Sequence, residues 1–201
     1  MHSAFYTSGC NHMKMELLER LCKLTAVSGF EWMAKDEFFK IVDEFGLTPK
    51  ADQYGNIYAE KVSPNAEFHI LIDAHLDEIG LIVSEIAENG FVFFETVGGI
   101  DRKNLLCQEV GILGKEKVYG VIGALPPHLS DGSKAEEQPL AIDTGISSIA
   151  ELVKVGDPVK LKSNFVKLQN SQFSSSAIDD RAGILCGLLA AKEFCQNDNL
   201  T

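Results

Sequence analysis

One histidine and two acidic clusters are the residues in this 201-residue chain whose types and spacing could do chemistry. His75-Leu76-Asp77-Glu78 sets a metal-type ligand two residues from a carboxylate, and Asp179-Asp180-Arg181 lies far downstream at the start of a helical pattern. A histidine that binds metal through one ring nitrogen usually donates its other N–H to a carboxylate, which fixes its tautomer and direction. On a strand, residues i and i+2 share a face, so Asp77 can stay beside His75. Together the clusters point to half of a metal site. A plainer reading exists for each. A lone His-x-Asp pair is more often a hydrogen-bonded structural histidine. A carboxylate at a helix start caps it with or without metal, which leaves Arg181 to pair a surface carboxylate. Position favours ligation, because both clusters end elements of one inferred α/β domain, and the binding crevice of an open α/β sheet lies at such strand ends.

The elements that must hold these residues can be read from hydrophobic pattern. Phe68–Gly80 reads FHILIDAHLDEIG, and its Ile70, Leu71 and Ile72 predict a strand buried on both faces that opens into a loop at His75. Ahead of it, Leu17, Leu18, Leu21 and Leu24 mark one face of a helix over Lys14–Ala26. Ser28 and Glu31 form an S-x-x-E capping box for a second helix running to Phe45, with Ala34, Phe38, Ile41, Val42 and Phe45 on one side. Gly46 ends that helix, and Leu47–Asp52 and Ile57–Lys61 predict two short strands around Gln53-Tyr54-Gly55-Asn56. Ser63-Pro64-Asn65 is a loop.

After Gly80 the pattern becomes that of many short strands: Ile79–Ile86, Gly90–Val97, Glu109–Leu113, Lys117–Ile122, Leu140–Asp143 and Pro158–Lys162. Glu88-Asn89-Gly90 is a hairpin turn, Ser148–Glu151 is a second capping box, and Pro126–Gln138 is a polar, mobile loop. This predicts a small β-barrel or sandwich. From Ser171 a serine-rich segment leads through Asp179-Asp180 into a helix over Gly183–Phe194 that is apolar around much of its circumference and therefore expects burial. The expected organisation is a 1–12 extension, an α/β domain over 13–79 and 165–201, and a β domain over 80–164 inserted into it.

Composition excludes several classes. With 45% hydrophobic and 23% charged residues the chain is an ordinary globular one. A net charge of −11 with no basic stripe disfavours nucleic acid, and no apolar run reaches the length of a membrane span. Residues 1–12 lack the basic start and apolar middle of a secretory signal. Five widely spaced cysteines fit buried free thiols in a reducing cytoplasm.

Several segments, in order and spacing, resemble the tetrahedral-type dinuclear metallo-aminopeptidases, which include glutamyl and deblocking aminopeptidases. They are Thr25–Glu31 (TAVSGFE), Asp52–Asn56 (DQYGN), Ala74–Gly80 (AHLDEIG), Val97–Asp101 (VGGID), Leu125–Leu129 (LPPHL) and Ala177–Gly183 (AIDDRAG). The likeness runs from about Met13 to the end. It implies a partial zinc-peptidase-like α/β/α domain interrupted by the inserted β-barrel, which mediates dimer contacts within a hollow homo-oligomer. It implies two divalent ions, zinc or cobalt with manganese as a further candidate. His75 would ligate one, Asp179 would bridge both, and Asp77 would support His75 from behind. The reaction would be removal of N-terminal residues from short peptides by a water held between the metals.

Family members run well past this length. Their adjacent glutamates (general base and ligand), a further acidic ligand and a C-terminal histidine are expected downstream of Thr201. Each metal needs about four ligands, and Glu78, Asp101 and His128 are poor substitutes. The chain therefore reads as the N-terminal part of an aminopeptidase, inactive alone. The alternative is a non-catalytic self-association or partner-binding module with a vestigial metal site. Polysaccharide hydrolysis is disfavoured, because neighbouring Asp179 and Asp180 are badly placed to flank a glycosidic bond.

Overall fold

The computed structural model describes residues 8–62, 69–123, 139–170 and 172–196, and divides into two compact units. The expected loops at 63–65 and 126–138, most of the 1–12 extension, Phe68 and His128 lie outside the described residues. One unit takes residues 1–26, 31–77 and 163–201, and the other takes 27–30 and 78–162.

The second unit is a closed barrel of six antiparallel strands: β3 (Gly80–Ile86), β4 (Val92–Val97), β5 (Glu109–Leu113), β6 (Lys117–Gly123), β7 (Ala141–Asp143) and β8 (Pro158–Leu161). Their order around the barrel is β3-β4-β7-β6-β5-β8, so no strand is left as an open edge. Period-two alternation sends Leu81, Val83, Phe94, Val110, Ile112, Ile122, Ile142 and Val159 inward, all but sealed from solvent. Each such burial contributes about 1.5–3 kcal/mol. The β3–β4 turn needs the positive φ (+89°) of Gly90, as the Asn-Gly pair predicted. Residues 27–30 join this unit because Val27 forms a parallel bridge with Glu78, and the Ser28 N–H donates to the Glu78 carbonyl at 3.0 Å. Ser148 opens only a 3-10 turn, Ile149–Glu151, and makes no side-chain cap bond there.

Among the described residues the first unit is built on three helices, α1 (Ser8–Lys23), α2 (Lys35–Asp43) and α3 (Ile178–Gln196). The first begins earlier than its leucine pattern, within the expected extension. Its Leu17, Leu18, Leu21 and Cys22 pack with Phe38, Ile41 and Val42 of α2 and Ile184, Leu185 and Leu188 of α3 into one core. A 3-10 turn, Glu31–Ala34, precedes α2, so Ala34 and not Ser28 occupies the helix's N-cap position, without a side-chain cap bond. The unit's described residues also form two small hairpins. They are β1 (Lys50–Ala51) with β2 (Ile57–Tyr58), shorter than predicted, and β9 (Val166–Lys167) with β10 (Phe173–Ser174).

The sequence expectation fails most clearly at 69–77. No strand forms there, and Ile70, Leu71 and Ile72 are exposed to 60%, 89% and 47%. A strand buried on both faces needs strands on either side and layers above and below. Among the described residues no strand pairs with it.

Candidate metal centre

His75 and Asp77 sit at the end of this extended segment, where Ala74 and Leu76 pack onto the helical core and fix the alternate side. Their own side chains therefore share the opposite, solvent-facing side. His75 Nδ1 lies 3.2 Å from Asp77 Oδ1, and His75 Nε2 lies 3.1 Å from Asp179 Oδ1. The three residues singled out from sequence are thus brought together across 104 positions of chain.

The local structure of Asp179 and Asp180 divides two jobs that the sequence left undivided. Both have non-helical backbone angles, so the regular helix starts after them. Asp180 accepts the Gly183 N–H at 3.0 Å, the bond made by an N-cap residue to its third helical amide. Asp179 has no capping bond of this kind. Its side chain is 96% exposed and is directed at the imidazole. Arg181, expected at the surface, is fully buried.

Electrostatically the imidazole stands between two carboxylates. A neutral ring donates from only one nitrogen, so satisfying both acids requires the imidazolium. Burial opposes the charge and is the largest single influence. The hydrogen bond to Asp179 and the negative charge of Asp77 together outweigh it, and the His75 pKa rises above its ordinary value.

The same arrangement can accept a cation in place of the Nε2 proton. Two ligands on one tetrahedral zinc, each bonded at 2.0–2.2 Å, stand about 3.3–3.5 Å apart, close to the observed 3.1 Å. Asp77, behind Nδ1, is placed to hold the tautomer that leaves Nε2 free to ligate. The donor set, one imidazole and one carboxylate, suits zinc or a similar divalent ion. It is incomplete: among the described residues no group of three or more His, Cys, Asp or Glu side chains converges on one point.

The other acids near these motifs have structural duties. The Glu78 carboxylate pairs with Lys160 Nζ at 2.8 Å, both side chains about 6–7% exposed. Asp101 caps a 3-10 turn by accepting the Lys103 N–H at 3.0 Å. Sequence reading missed Lys160 and Gly183. The first offers no signal, being one lysine in a strand. The second is legible in hindsight, as a glycine three residues after a capping aspartate. The thiols divide differently from expectation: Cys22 is buried, but Cys107, in a turn ahead of β5, and Cys186, on the outward side of α3, are exposed.

Residues 55–200 match the family model described as M42 glutamyl aminopeptidase. The chain is 27% identical over 194 residues to a lysyl aminopeptidase of Pyrococcus furiosus, covering 91% of this chain and 56% of that protein. Among solved structures it superposes on an aminopeptidase of the archaeon Desulfurococcus kamchatkensis with a TM-score of 0.81 at 31% identity, covering 92% of this chain and 53% of the other. A TET1 peptidase of Pyrococcus horikoshii, described as assembling into a tetrahedron or a large octahedral shell, matches with a TM-score of 0.78 at 34% identity over 90% of this chain and 56% of its own. The chain spans about half the length of the relatives it matches.

Proposed function

Because the chain belongs to the M42 glutamyl aminopeptidase family, we propose that it carries the first part of a dinuclear metal centre that removes N-terminal residues from short peptides. The observation that carries this reading is the convergence of His75 Nε2 and Asp179 Oδ1 at 3.1 Å, with Asp77 behind the imidazole. His75 would hold one divalent ion (zinc or cobalt, with manganese as a further candidate), and Asp179 would share its carboxylate between two. Bound divalent ions supply Lewis acidity and make water nucleophilic near neutral pH. Asp77 keeps the Nδ1 proton, which turns the Nε2 lone pair toward the ion. Asp180 closes the helix start, which leaves the Asp179 carboxylate free for the site.

Two donors are too few for either ion, and Glu78, held by Lys160, is no free base for an attacking water. The complete activity therefore needs acidic and imidazole groups beyond the pair described here, and this chain alone is inactive. Homo-oligomerisation through the barrel is part of the same proposal, supported by the shell-forming relative. No helix among the described residues is long and apolar enough to cross a membrane. Free thiols at Cys22, Cys107 and Cys186 suit a reducing cytoplasm.

Titration of the chelator-treated chain with Zn²⁺, Co²⁺ and Mn²⁺, followed by calorimetry, tests the reading. Weak binding that disappears in both His75→Ala and Asp179→Ala is expected. Binding unchanged in both variants would refute it and favour a non-catalytic partner-binding module.

A further inference from the structure

The chain reaches Asp179 through a strained residue. Among the described residues three that are not glycine have positive φ, and one of them, Ala177 at +57°, stands two positions before Asp179. A residue with a Cβ enters this left-handed region only against a clash with the following carbonyl oxygen. Glycine avoids the clash, and asparagine offsets it with a short polar side chain. Alanine does neither, so its conformation must be imposed by what surrounds it. Upstream, Ser174 is paired with Val166 in the β9–β10 hairpin. The Ser175 hydroxyl lies 3.5 Å from that of Ser163, which donates to the Cys22 carbonyl at the end of α1. Downstream, Ile178 packs against the helical core, and Asp180 accepts the Gly183 N–H at 3.0 Å. Only Ser176 and Ala177 lie between these two anchored stretches, so the turn from hairpin to helix is made there. Ala177 also opens the helix, its carbonyl accepting the Arg181 N–H at 3.3 Å.

The direction of that turn decides which side of the chain meets the core. With Ile178 inward, the extended backbone of Asp179 (φ −86°, ψ 107°) sends the next side chain the other way. There it is 96% exposed and 3.1 Å from His75 Nε2. We infer that Ala177 is a positioning residue for the candidate metal centre, its left-handed backbone setting Ile178 against the core and so turning the Asp179 carboxylate toward His75. This rests on the proposed function only in taking that pair for a metal site; the positioning belongs to the metal-free chain. Ala177 acts through Asp179 and offers no donor of its own. What the position requires is tolerance of positive φ, whatever the size or polarity of the side chain.

Three substitutions test this by separating backbone conformation from side-chain bulk. Ala177→Gly keeps the turn without the clash and raises the unfolding midpoint. A lowered midpoint, as glycine gives in ordinary helical or extended backbone, overturns the inference. In the metal-free chain, nuclear Overhauser contact between the His75 ring protons and the Asp179 β protons reads the geometry directly. Ala177→Asn retains that contact. Ala177→Val, similar in volume but β-branched and barred from positive φ, loses it or weakens it at least fivefold, while the core resonances of Leu21 and Ile41 stay in place. Contact kept in the valine variant, or lost equally in the asparagine one, overturns the inference. Should Ala177→Val fail to fold, the glycine and asparagine variants decide it alone. Zn²⁺ calorimetry on the same proteins gives an affinity that follows the contact, kept in Ala177→Asn and at least tenfold weaker in Ala177→Val. An affinity that ignores the loss of contact overturns the inference. Zn²⁺ bound by none of the proteins, the unsubstituted chain included, while the contacts follow the expected order, refutes the metal reading and leaves the positioning of Asp179 by Ala177 supported.

Discussion

Asp179 and Asp180 are adjacent and chemically identical, yet the structure gives them separable roles, and paired substitutions can pull these apart. Asp180 accepts the Gly183 N–H at 3.0 Å and so satisfies one of the amides that the first turn of α3 cannot pair internally. Replacing such a cap with alanine costs about 0.5–2 kcal/mol, typically near 1. A carboxylate at a helix N-terminus adds about 0.3–1 kcal/mol through the helix dipole. Asp180→Ala should therefore destabilise the helical unit by about 1–2 kcal/mol. Asp180→Asn keeps the cap and loses only the charge, and should cost a few tenths. Asp179→Ala removes a 96%-exposed side chain whose one described partner is the half-exposed His75, so its cost in stability should be close to nothing. Metal affinity runs the other way: Asp179→Ala abolishes it, and Asp180→Asn leaves it nearly intact. Urea unfolding followed by far-ultraviolet circular dichroism reads the first property, and Zn²⁺ calorimetry reads the second. If Asp179→Ala destabilised the fold as much as Asp180→Ala, Asp179 would be a second cap, and the case for it as a ligand would fail.

Three further outcomes follow from the same geometry. A Cβ on Gly183 would collide with the Asp180 carboxylate, so Gly183→Ala should cost about what Asp180→Ala costs by loss of the cap, and the double variant should be far from additive when unfolded in urea. Glu78→Ala strips the carboxylate from buried Lys160 and should destabilise the barrel unit by about 3–5 kcal/mol, while Glu109→Ala, from the exposed pair with Lys162, should cost under about 1 kcal/mol in the same titration. Asp52 should titrate below its ordinary value of 3.8, chiefly because the Asn56 side chain donates to it; burial opposes the shift, and the backbone N–H groups of Tyr54, Asn56 and Gly55 add to it. A lowered folded pKa means that this stabilisation is complete above the unfolded pKa and is lost as pH falls through the folded value. Nuclear magnetic resonance should therefore find the Asp52 midpoint depressed and restored upward by Asn56→Ala.

How much was legible from sequence depended on whether an element's partners lie within the described chain. The barrel strands were read nearly to the residue, with Glu109–Leu113 placed as observed, because alternation and turn glycines are local signals and the strands supply one another's neighbours. The faces of α1 and α2 were legible for the same reason, since Leu21 and Ile41 bury against residues of the same unit. Helix starts were read less well. The Ser28-x-x-Glu31 pattern promised a cap, but a 3-10 turn intervenes before Lys35, and a motif of four residues cannot register that.

The segment 69–73 was misread for a more instructive reason. Its composition is that of an interior strand, but burial depends on what stands around a segment as well as on the segment itself. Ile72 finds α3 and is half covered; Leu71 finds nothing among the described residues and stays open. The candidate site shows the same pattern a few residues further along the chain. His75 has its orienting carboxylate and its facing donor within this unit, and these were readable from spacing and helix position. Among the described residues no third His, Cys, Asp or Glu joins them at one point, and two donors hold a divalent ion weakly. Metal affinity in this chain should accordingly be weak, and calorimetry should find it lost in His75→Ala and in Asp179→Ala alike.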